Sequence, residues 1–575
     1  MASGFAHSLK KLALGLLALI ALLVVAALWL LSPPKAPATQ AFINGQVLTM
    51  DSNNTVQQAV LLEHERIVAV GSNSDIQALI TDDTLVHDLQ GRTLMPGFVD
   101  AHGHFPGSGL GAVAADVSSP PVGKITTIEQ LQTRMKVLIE DTPSGDWALG
   151  FGYDDTLLAG GQHPTRQQLD AVSTEHPIYL LHVSGHMGVA NSKALELIGY
   201  DRNTPNPEGG VIVRDENGEL TGLLEEMAHE KFVIASLDMP LSDFYKLLTA
   251  AVDNYASMGV TTAQSGGVDN TTLKGLFTAQ KLGLIPFRLE LWPFDDKLGE
   301  SIRSGELNLE DYNSDTVRTR AVKIVADGSI QGFTGYLSHP YHTPFRGDDQ
   351  HRGYPIMPRE KLTALVEEYH TKGYQLAIHG NGDAAIDDII YAFDQAQQKF
   401  PVADPRMILI HSQMAREDQL EDMKRLGITP SFFSAHTYYW GDRHRDIFMG
   451  SDRAMRMSPA RSAKELGLKY SVHLDTPVVP MTPMLMIWST VNRLSSSGQV
   501  IGAEQRVPVM DALRAVTIDA AWQFFRDDDI GSIEAGKYAD LVILNRSPLQ
   551  DPLTLKDIKI DATYVGGVNI FERQH

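Results

Sequence analysis

LMPGFVDAHGHF, residues 94–105, is an apolar run that ends in Asp100, His102 and His104. Because side chains two residues apart on a strand point to the same face, His102 and His104 would present both imidazoles to one point at the carboxyl end of that strand. A bare His-x-His pair is also compatible with two surface histidines on a turn. Here the pair follows a strand-like run punctuated by Pro-Gly, which favours two ligands for one metal ion.

The composition limits what can surround this pair. At 575 residues the chain is too long for one compact core, so we expect one large domain with one or two smaller ones. The formal net charge of −22 argues against a nucleic-acid partner, which would require a basic face. The chain has no cysteine, which excludes disulfides, thiolate–zinc sites and a cysteine nucleophile. Any metal must therefore be held by histidine, carboxylate or a modified lysine.

The amino end carries a separate signal. Residues 12–31, LALGLLALIALLVVAALWLL, have no polar side chain, follow Lys10 and Lys11, and are long enough for a transmembrane helix. We expect a membrane-anchored protein whose catalytic body is non-cytoplasmic, on the periplasmic side of the inner membrane in a bacterium. The expected order is a cytoplasmic tail at 1–11, the anchor at 12–31 and a linker at 32–40. The alternative is a cleaved signal peptide and a secreted protein, with Ala36-Pro37-Ala38 as the cleavage site.

Strand-like segments at both ends of the remaining chain flank a long middle. Residues 41–50 and 59–70 have this character near the amino end, and residues 531–544 and 562–571 have it near the carboxyl end. Between them, apolar runs alternate with helical stretches, which predicts parallel βα units. We expect an α/β protein: a (β/α)8 TIM-type barrel with an inserted lobe, plus a small β-sandwich domain built from both ends of the chain, and the N-terminal transmembrane helix. The expected limits are 41–97 and 505–575 for the sandwich with the final helix, 98–504 for the barrel, and roughly 115–235 for the lobe.

Polar side chains stand at the ends of the predicted barrel strands. VKIVADGS places Lys323 inside a strand, and three later runs end in His379, His411 and Asp475. In a barrel the carboxyl ends of all strands open onto one mouth, so residues far apart in sequence converge there. Singly, each has an ordinary structural explanation as a hydrogen-bonded rim histidine, an edge lysine or a turn aspartate. Their joint occurrence in barrel order, after a His-x-His at the first strand, indicates a metal site.

These motifs resemble the amidohydrolase superfamily, most closely its branch of N-substituted formamide deformylase-like and YtcJ-like metal-dependent hydrolases (amidohydrolase family 3). The resemblance covers about residues 41–571. Besides PGFVDAHGH it rests on NGQVLTMD (44–51), GFGYDD (150–155), SGHMGVANS (184–192), VKIVADGSIQG (322–332), EQRVPVMDALRAVTIDAA (504–521) and GSIEAGKYADLVILNRSPL (531–549). Two elements depart from the family pattern. The acidic His-Ala-x-Gly-Asp segment reads HGNGD at 379–383, and Glu-His-Ala-Gln reads IHSQ at 410–413, so the carboxylate that would support His411 is missing.

The resemblance implies one or two divalent metal ions. Four histidines are implied as ligands in two pairs, His102 with His104 and His379 with His411. Lys323 matches a bridging position, where a carbamylated lysine supplies a carboxylate, since an ammonium group offers only donors. Zinc suits imidazole and carboxylate ligands, although iron or manganese would also fit. If Lys323 is unmodified, the alternative is a single metal, with Glu226 or His186 entering its coordination.

The same resemblance implies roles in catalysis and substrate binding. Asp475 is expected to contact the metal and to act as the general base, returning its proton to the departing amine after a metal-activated hydroxide attacks the carbonyl carbon. His436 is expected to face the substrate and stabilise the developing oxyanion, the alternative being a structural histidine packed among aromatic rings. Tyr153, His186 and Tyr438 are further candidates for substrate binding, and the alternative for Tyr438 is core packing.

The expected function is therefore a metal-dependent hydrolase that cleaves carbon–nitrogen bonds in a small-molecule amide, N-acyl or N-formyl compound. Lactone or ester hydrolysis, or deamination, on the same scaffold is the alternative within the fold. A non-catalytic regulatory or binding protein is the alternative from another class, and it predicts lost ligands, whereas all the expected ligands are present. A homodimer and a monomer both stay open.

Overall fold

A barrel of parallel strands forms the centre of the protein. The computed structural model describes residues 34–574. Within that range, eight barrel strands run parallel in chain order. They are β1 (Phe98–Val99), β2 (Val260–Val268), β3 (Arg288–Pro293), β4 (Ala321–Val325), β5 (Gln375–Gly380), β6 (Met407–His411), β7 (Ile428–Phe432) and β8 (Ser471–Val472).

Two backbone contacts join the strands into a closed ring. The short strand Val317–Arg318 precedes β4 and pairs with β3, and Phe294 bridges to Lys323 within β4. On the other side, the amide of Asp475 donates to the carbonyl of His102 at 3.2 Å, which joins the end of β8 to the end of β1. All eight carboxyl ends therefore open onto one mouth.

Helices cover the outside of the barrel. Every residue of β6, MILIH, is buried, as expected for a parallel strand that is covered on both faces. The outer helices are Leu241–Ser257, Asn270–Lys281, Asp295–Ser304, Arg359–Thr371, Asp383–Lys399, Glu417–Leu426, Ala460–Glu465, Pro483–Asn492, Val509–Ala515 and Ile518–Gln523. Short helical segments after β7 span His436–Tyr439, Gly441–Arg443, His444–Phe448 and Ser451–Ala454.

A layer of apolar side chains fills the barrel below its mouth. Trp292, Ala377, Ile410 and Phe524 belong to this layer. The indole of Trp292 is stacked with the imidazole of His102, with ring centroids 5.4 Å apart and planes inclined by 10°. The interior beneath the mouth is therefore packed rather than open, and this packing fixes the plane of one imidazole.

Strands from both ends of the chain form two sheets beside the barrel. One sheet has the order Arg66–Gly71, Ala59–Glu63, Thr39–Ile43, Leu85–Asp88. The other has the order Val568–Glu572, Ile560–Val565, Leu541–Leu544, Thr93–Pro96, Gln46–Leu48, Val56–Gln57. Side chains from both, including Phe42, Val60, Leu94 and Leu541, share one buried cluster. We propose that the limits expected from the sequence, 41–97 and 505–575, describe this unit, except that its first strand begins two residues earlier, at Thr39.

A third unit stands between β1 and β2. Its mixed sheet has the order Gly210–Arg214, Leu220–Glu226, Met187–Ala190, Ile178–His182, Ala148–Tyr153, Ala115–Asp116. The helices packed with it are Ile128–Glu140, Arg166–Asp170, Ser192–Ile198 and Glu230–Leu237. The ring of His186, in this lobe, lies 4.9 Å from that of His379 in β5, so the lobe stands over the barrel mouth.

The expectation of a membrane-anchored, non-cytoplasmic protein is corrected here. Among residues 34–574, no helix is both long enough and apolar enough to cross a bilayer. Residues 12–31, on which the expected transmembrane helix rested, lie outside the described residues. The fold class of the described residues is α/β, and the transmembrane helix, membrane partner and localisation that we expected are withdrawn.

Candidate metal centre

His102, His104 and Asp475 form a compact group at the barrel mouth. The two histidines follow β1 and the aspartate follows β8, and their ligand atoms all lie within 4.8 Å of one another. Asp475 Oδ1 lies 3.2 Å from His104 Nε2 and 3.5 Å from His102 Nε2. Three ligand atoms from two adjoining strand ends therefore converge, which is the arrangement that a small divalent cation requires.

Lys323 points into this group from β4. Its Nζ atom lies 3.1 Å from His102 Nε2, and the side chain is buried. Burial lowers the pKa of the Lys323 amine to about 7, although the charge of Asp475 opposes the shift. His102 donates through Nδ1 to the side-chain oxygen of Gln264 at 3.1 Å, so its Nε2 lone pair faces Lys323 and Asp475.

His379 and His411, at the ends of β5 and β6, lie on the opposite side of the mouth. Their ring centroids are 4.5 Å apart, and His411 Nε2 lies 3.8 Å from Asp475 Oδ2. His379 Nδ1 lies 3.5 Å from Asp327 Oδ1, and its Nε2 accepts a hydrogen bond from Asn381 at 3.1 Å. Asp475 thus faces histidines from both halves of the mouth.

The charge states of these side chains suit a cation. Burial, reinforced by neighbouring positive groups, holds the pKa values of His102, His379 and His411 well below the usual range, so all three rings are neutral near pH 7. Burial alone would raise the pKa of Asp475, but its hydrogen bond with His104 holds the pKa well below its usual range. A buried carboxylate among neutral imidazoles is a site for a positive charge.

The backbone is strained at two of these positions. His411 has φ 69° and Asp475 has φ 58°, both in the left-handed region that non-glycine residues rarely adopt. Such a conformation costs on the order of 1–3 kcal/mol per residue and persists where the surrounding structure imposes it. The two side chains meet at the mouth, where His411 Nε2 lies 3.8 Å from Asp475 Oδ2.

The lobe contributes His186 and Glu226 to the same region. His186 Nδ1 lies 2.8 Å from Glu226 Oε2, and its ring centroid is 4.9 Å from that of His379. The carboxylate raises the pKa of His186 against the opposing effect of burial. Glu226 Oε1 is buried and has no hydrogen-bond partner among residues 34–574. This pair stands beside the histidines and faces the space between lobe and barrel.

The other candidate substrate residues lie farther out. His436 packs on Phe433 with ring centroids 4.0 Å apart, and Phe433 also contacts the His411 ring at 6.3 Å, so His436 is one side chain removed from the group. Tyr438 packs edge-on against Trp488 at 5.8 Å, on the side of the main core. The structure therefore brings His436 near the site and places Tyr438 in packing contacts.

Tyr153 lies inside the lobe. Its hydroxyl bonds to Nδ1 of His163 at 3.1 Å. Next to it, Asp154, Asp155 and His182 form a second group with ligand atoms within 4.8 Å of one another. Asp154 is paired with Arg443, however, and Asp155 bonds to His182 at 3.0 Å, so these carboxylates already have protein partners.

Sequence reasoning missed Gln264, Asp327 and His473. His473 Nε2 lies 3.0 Å from His411 Nδ1, and it stands two residues before Asp475. The alternation that singled out His102 and His104 would also have found His473, because residues two apart on a strand share a face. Gln264 has no comparable signal in the sequence, since glutamine is common in strands that contact no metal.

The comparisons with known proteins agree with this geometry. The sequence profile of the amidohydrolase family matches residues 85–571. The chain belongs to the amidohydrolase family. N-substituted formamide deformylase from Arthrobacter pascens is 30% identical over 542 residues, covering 92% of this chain and 98% of that protein.

Solved structures agree as well. An uncharacterised metal-dependent hydrolase from Pyrococcus horikoshii superposes with a TM-score of 0.71 at 25% identity, covering 90% of this chain and 99% of that one. Another from Pyrococcus furiosus superposes with a TM-score of 0.68 at 25% identity, covering 89% and 100%. This amidohydrolase is accordingly a metal-dependent hydrolase of carbon–nitrogen bonds that acts on a small molecule, and the expectations of family, enzyme class and reaction are confirmed.

Proposed function

We propose that the protein hydrolyses N-substituted formamides at a metal centre held by side chains from five barrel strands. The proposed ligands are His102, His104, His379, His411, Asp475 and a modified Lys323. The observation that carries the proposal is the convergence of the ligand atoms of His102, His104 and Asp475 within 4.8 Å at the barrel mouth. Zinc fits this donor set, because neutral imidazole and carboxylate are ligands that zinc favours.

Lys323 is proposed to carry a carbamate. Only a neutral amine reacts with carbon dioxide, and burial that lowers the pKa of Lys323 to about 7 leaves a large neutral fraction at physiological pH. The resulting carboxylate would stand between His102 and the histidines of β5 and β6 and allow two metals. If Lys323 is unmodified, the three-residue group around Asp475 holds a single metal.

The side chains of the site transfer the proton and orient the substrate. A bound divalent metal supplies the Lewis acidity that activates water and polarises a carbonyl near neutral pH. Asp475, ionised and buried, takes the proton of the attacking water and delivers it to the departing amine nitrogen. His186 and His436 are proposed to orient the formyl group, with His186 held in place by Glu226 at 2.8 Å.

A cavity between lobe and barrel is proposed to receive the nitrogen substituent. It has a volume of about 220 Å³ and is lined by Thr476, which directly follows Asp475, and by Gly107, three residues after His104. Phe151 and Trp440 contribute aromatic surface to it.

The lining of the cavity also contains polar side chains. Ser108, Ser119, Asn254 and Thr476 line the cavity, and each has a buried side-chain oxygen with no hydrogen-bond partner among the described residues. Arg443 and Asp154, which pair with each other, also line it, as does the carboxylate of Asp116. Buried polar atoms without partners are costly unless water or a ligand satisfies them. We infer a substituent that is mainly apolar or aromatic. The name of the relative from Arthrobacter pascens supports the same substrate class for this chain.

The test is release of formate and amine from a series of N-alkyl and N-aralkyl formamides, with N-acetyl amines as comparison, after metal is added back. We expect formamide hydrolysis that rises when a methyl substituent is replaced by a larger apolar one. Turnover of lactones or esters with no formamide hydrolysis would overturn the proposed substrate.

A pair of variants tests the cavity. A Cβ built on Gly111, which lines the cavity, meets no described atom within 4 Å, so Gly111→Phe can fill the space. Ala112→Phe places the same ring on the neighbouring exposed position outside the cavity. We expect Gly111→Phe to raise KM for large formamides at least tenfold and to leave N-methylformamide unchanged, whereas Ala112→Phe changes neither. Equal effects of Gly111→Phe on both substrates would contradict the assignment.

A further inference from the structure

A chain of buried hydrogen bonds runs from His411 to the backbone beside His102. His411 Nδ1 lies 3.0 Å from His473 Nε2, and His473 Nδ1 lies 2.9 Å from Ser431 Oγ. Ser431 Oγ lies 2.9 Å from Ser471 Oγ, which lies 2.6 Å from Gln523 Oε1. The Gln523 amide then donates to the carbonyl of Ala101 at 2.7 Å.

Solvent does not compete with this chain. Beyond His411, all the residues that form it are 0% exposed, namely Ser431, Ser471, His473, Gln523 and Ala101. Ser431 lies in β7 and Ser471 in β8, and Gln523 ends the helix Ile518–Gln523. The links therefore tie three elements together beneath the mouth of the barrel.

The donor and the acceptor of each hydrogen bond can be assigned by starting at the carbonyl of Ala101. A backbone carbonyl only accepts, so the NH2 group of Gln523 faces Ala101 and its oxygen faces Ser471. Ser471 has one proton and must give it to Gln523, because two oxygens 2.6 Å apart need a proton between them. Ser471 Oγ is also in donor geometry toward Ser431 Oγ at 2.9 Å, but its single proton is already given to Gln523 in the shorter contact. Ser431 therefore donates to Ser471 and accepts from His473.

The same reasoning assigns the tautomers of His473 and His411. A neutral imidazole that donates through Nδ1 has a lone pair on Nε2, so His473 Nε2 accepts from His411 Nδ1. His411 is thereby held with its own Nε2 unprotonated, on the side that faces Asp475 at 3.8 Å. Ligating histidines commonly donate their other nitrogen to a carboxylate or carbonyl, which orients the ring and fixes its tautomer.

We propose that His473 is a positioning residue that takes the place of the carboxylate missing before His411, through the directed chain His473–Ser431–Ser471–Gln523. Ile410 precedes His411 and offers no acceptor. The hydrogen-bond chain also ends on the carbonyl of Ala101, next to His102. The same network therefore orients the ring of His411 and holds the strand end that carries His102. This inference rests on the proposed metal site.

The test compares His473→Gln with His473→Phe. Glutamine can accept at one end of its amide and donate at the other, in the direction of the chain, whereas phenylalanine fills the space but makes no hydrogen bond. Zinc affinity is measured by competition with a chelator, and the visible absorption spectrum of the cobalt-loaded protein reports ligand geometry. We expect His473→Phe to weaken zinc binding about 10–100-fold and to shift the cobalt bands, and His473→Gln to restore most of both.

A second pair of variants breaks the chain farther from the metal. Ser471→Ala removes one link, and Ser434→Ala removes a buried hydroxyl near β7 that takes no part in the chain. We expect weaker zinc binding in Ser471→Ala and wild-type affinity in Ser434→Ala. Wild-type affinity and spectrum in both His473→Phe and Ser471→Ala would overturn the inference while leaving the metal site intact. A wild-type protein that binds no metal would instead contradict the proposed function.

Discussion

The Nζ atom of Lys323 lies 3.1 Å from Nε2 of His102 at the centre of the barrel mouth. A protonated amine at this position would repel a cation held by the same histidine. The proposed carbamylation would remove this charge and add a carboxylate. The proximity of these two atoms therefore links metal content to the chemical state of one lysine.

We expect Lys323→Ala to lower bound metal from two equivalents per chain to one, because the bridging carboxylate is lost. Bicarbonate added during reconstitution should raise the metal content of the wild-type protein and have no effect on the variant. Elemental analysis measures both. Lys399→Ala, at an exposed lysine paired with Glu367, serves as the control and should behave as wild type. Two equivalents in Lys323→Ala would rule out a bridging role.

Asp475→Asn should reduce kcat by about 10²–10⁴-fold, since an amide cannot accept the proton of the attacking water. The neighbouring histidines are unchanged, so we expect the variant to retain at least one metal. Steady-state formamide hydrolysis and elemental analysis on the same sample separate the two effects. Asp348→Asn, on an exposed loop, is the matched control. Full activity in Asp475→Asn would remove this residue from the mechanism.

In Lys323→Ala, which removes the amine that titrates near pH 7, zinc affinity should change little between pH 8 and pH 6. Burial holds the pKa values of His102, His379 and His411 well below 6.5, so these rings do not gain protons in that interval. Three imidazoles with an ordinary pKa of about 6.5 would instead lose affinity by well over tenfold on acidification. Chelator competition at constant bicarbonate measures the difference, and a steep loss toward pH 6 would contradict the stated charge states.

A buried ion pair joins the barrel to the two-sheet unit. Arg288 in β3 donates to both carboxylate oxygens of Asp540, at 2.6 and 3.0 Å, and each side chain is 3% exposed. We expect Asp540→Asn to destabilise the protein by about 3–5 kcal/mol, because it leaves a buried guanidinium without its counter-charge. Asp404→Asn, which breaks an ion pair whose carboxylate is 56% exposed, should change stability by less than about 1 kcal/mol. Urea denaturation of the two variants compares them, and similar midpoints would show that the buried pair has no special role.

The sequence predicted the location of those site residues that stand at the ends of barrel strands. His102, His379, His411 and Asp475 were expected together because each ends a run in the order that a barrel requires, and the structure brings them together. Side chains outside the strands could not be located in this way. Tyr438 follows β7 on a short helical turn, and the direction of that turn, which sends its ring toward Trp488, depends on packing that no local pattern records.

The lobe illustrates a second limit. His186 and Tyr153 both occur in motifs between β1 and β2, yet one contacts His379 and the other bonds to His163 deep in the lobe. Their separation follows from the order of six strands in a mixed sheet, which is set by long-range pairing. The membrane anchor predicted at residues 12–31 rested on hydropathy alone. No helix among the described residues supports it.

The most direct test of the central claim is the metal content of the full chain, compared between the wild type and the double variant His102→Ala/His104→Ala. We predict one to two equivalents of transition metal per wild-type chain, with zinc the best bound, and a loss of at least one equivalent in the variant together with formamide hydrolysis. Equal metal content in the two proteins, or a wild-type protein that holds no metal after reconstitution, would contradict the assignment of the metal centre to the barrel mouth.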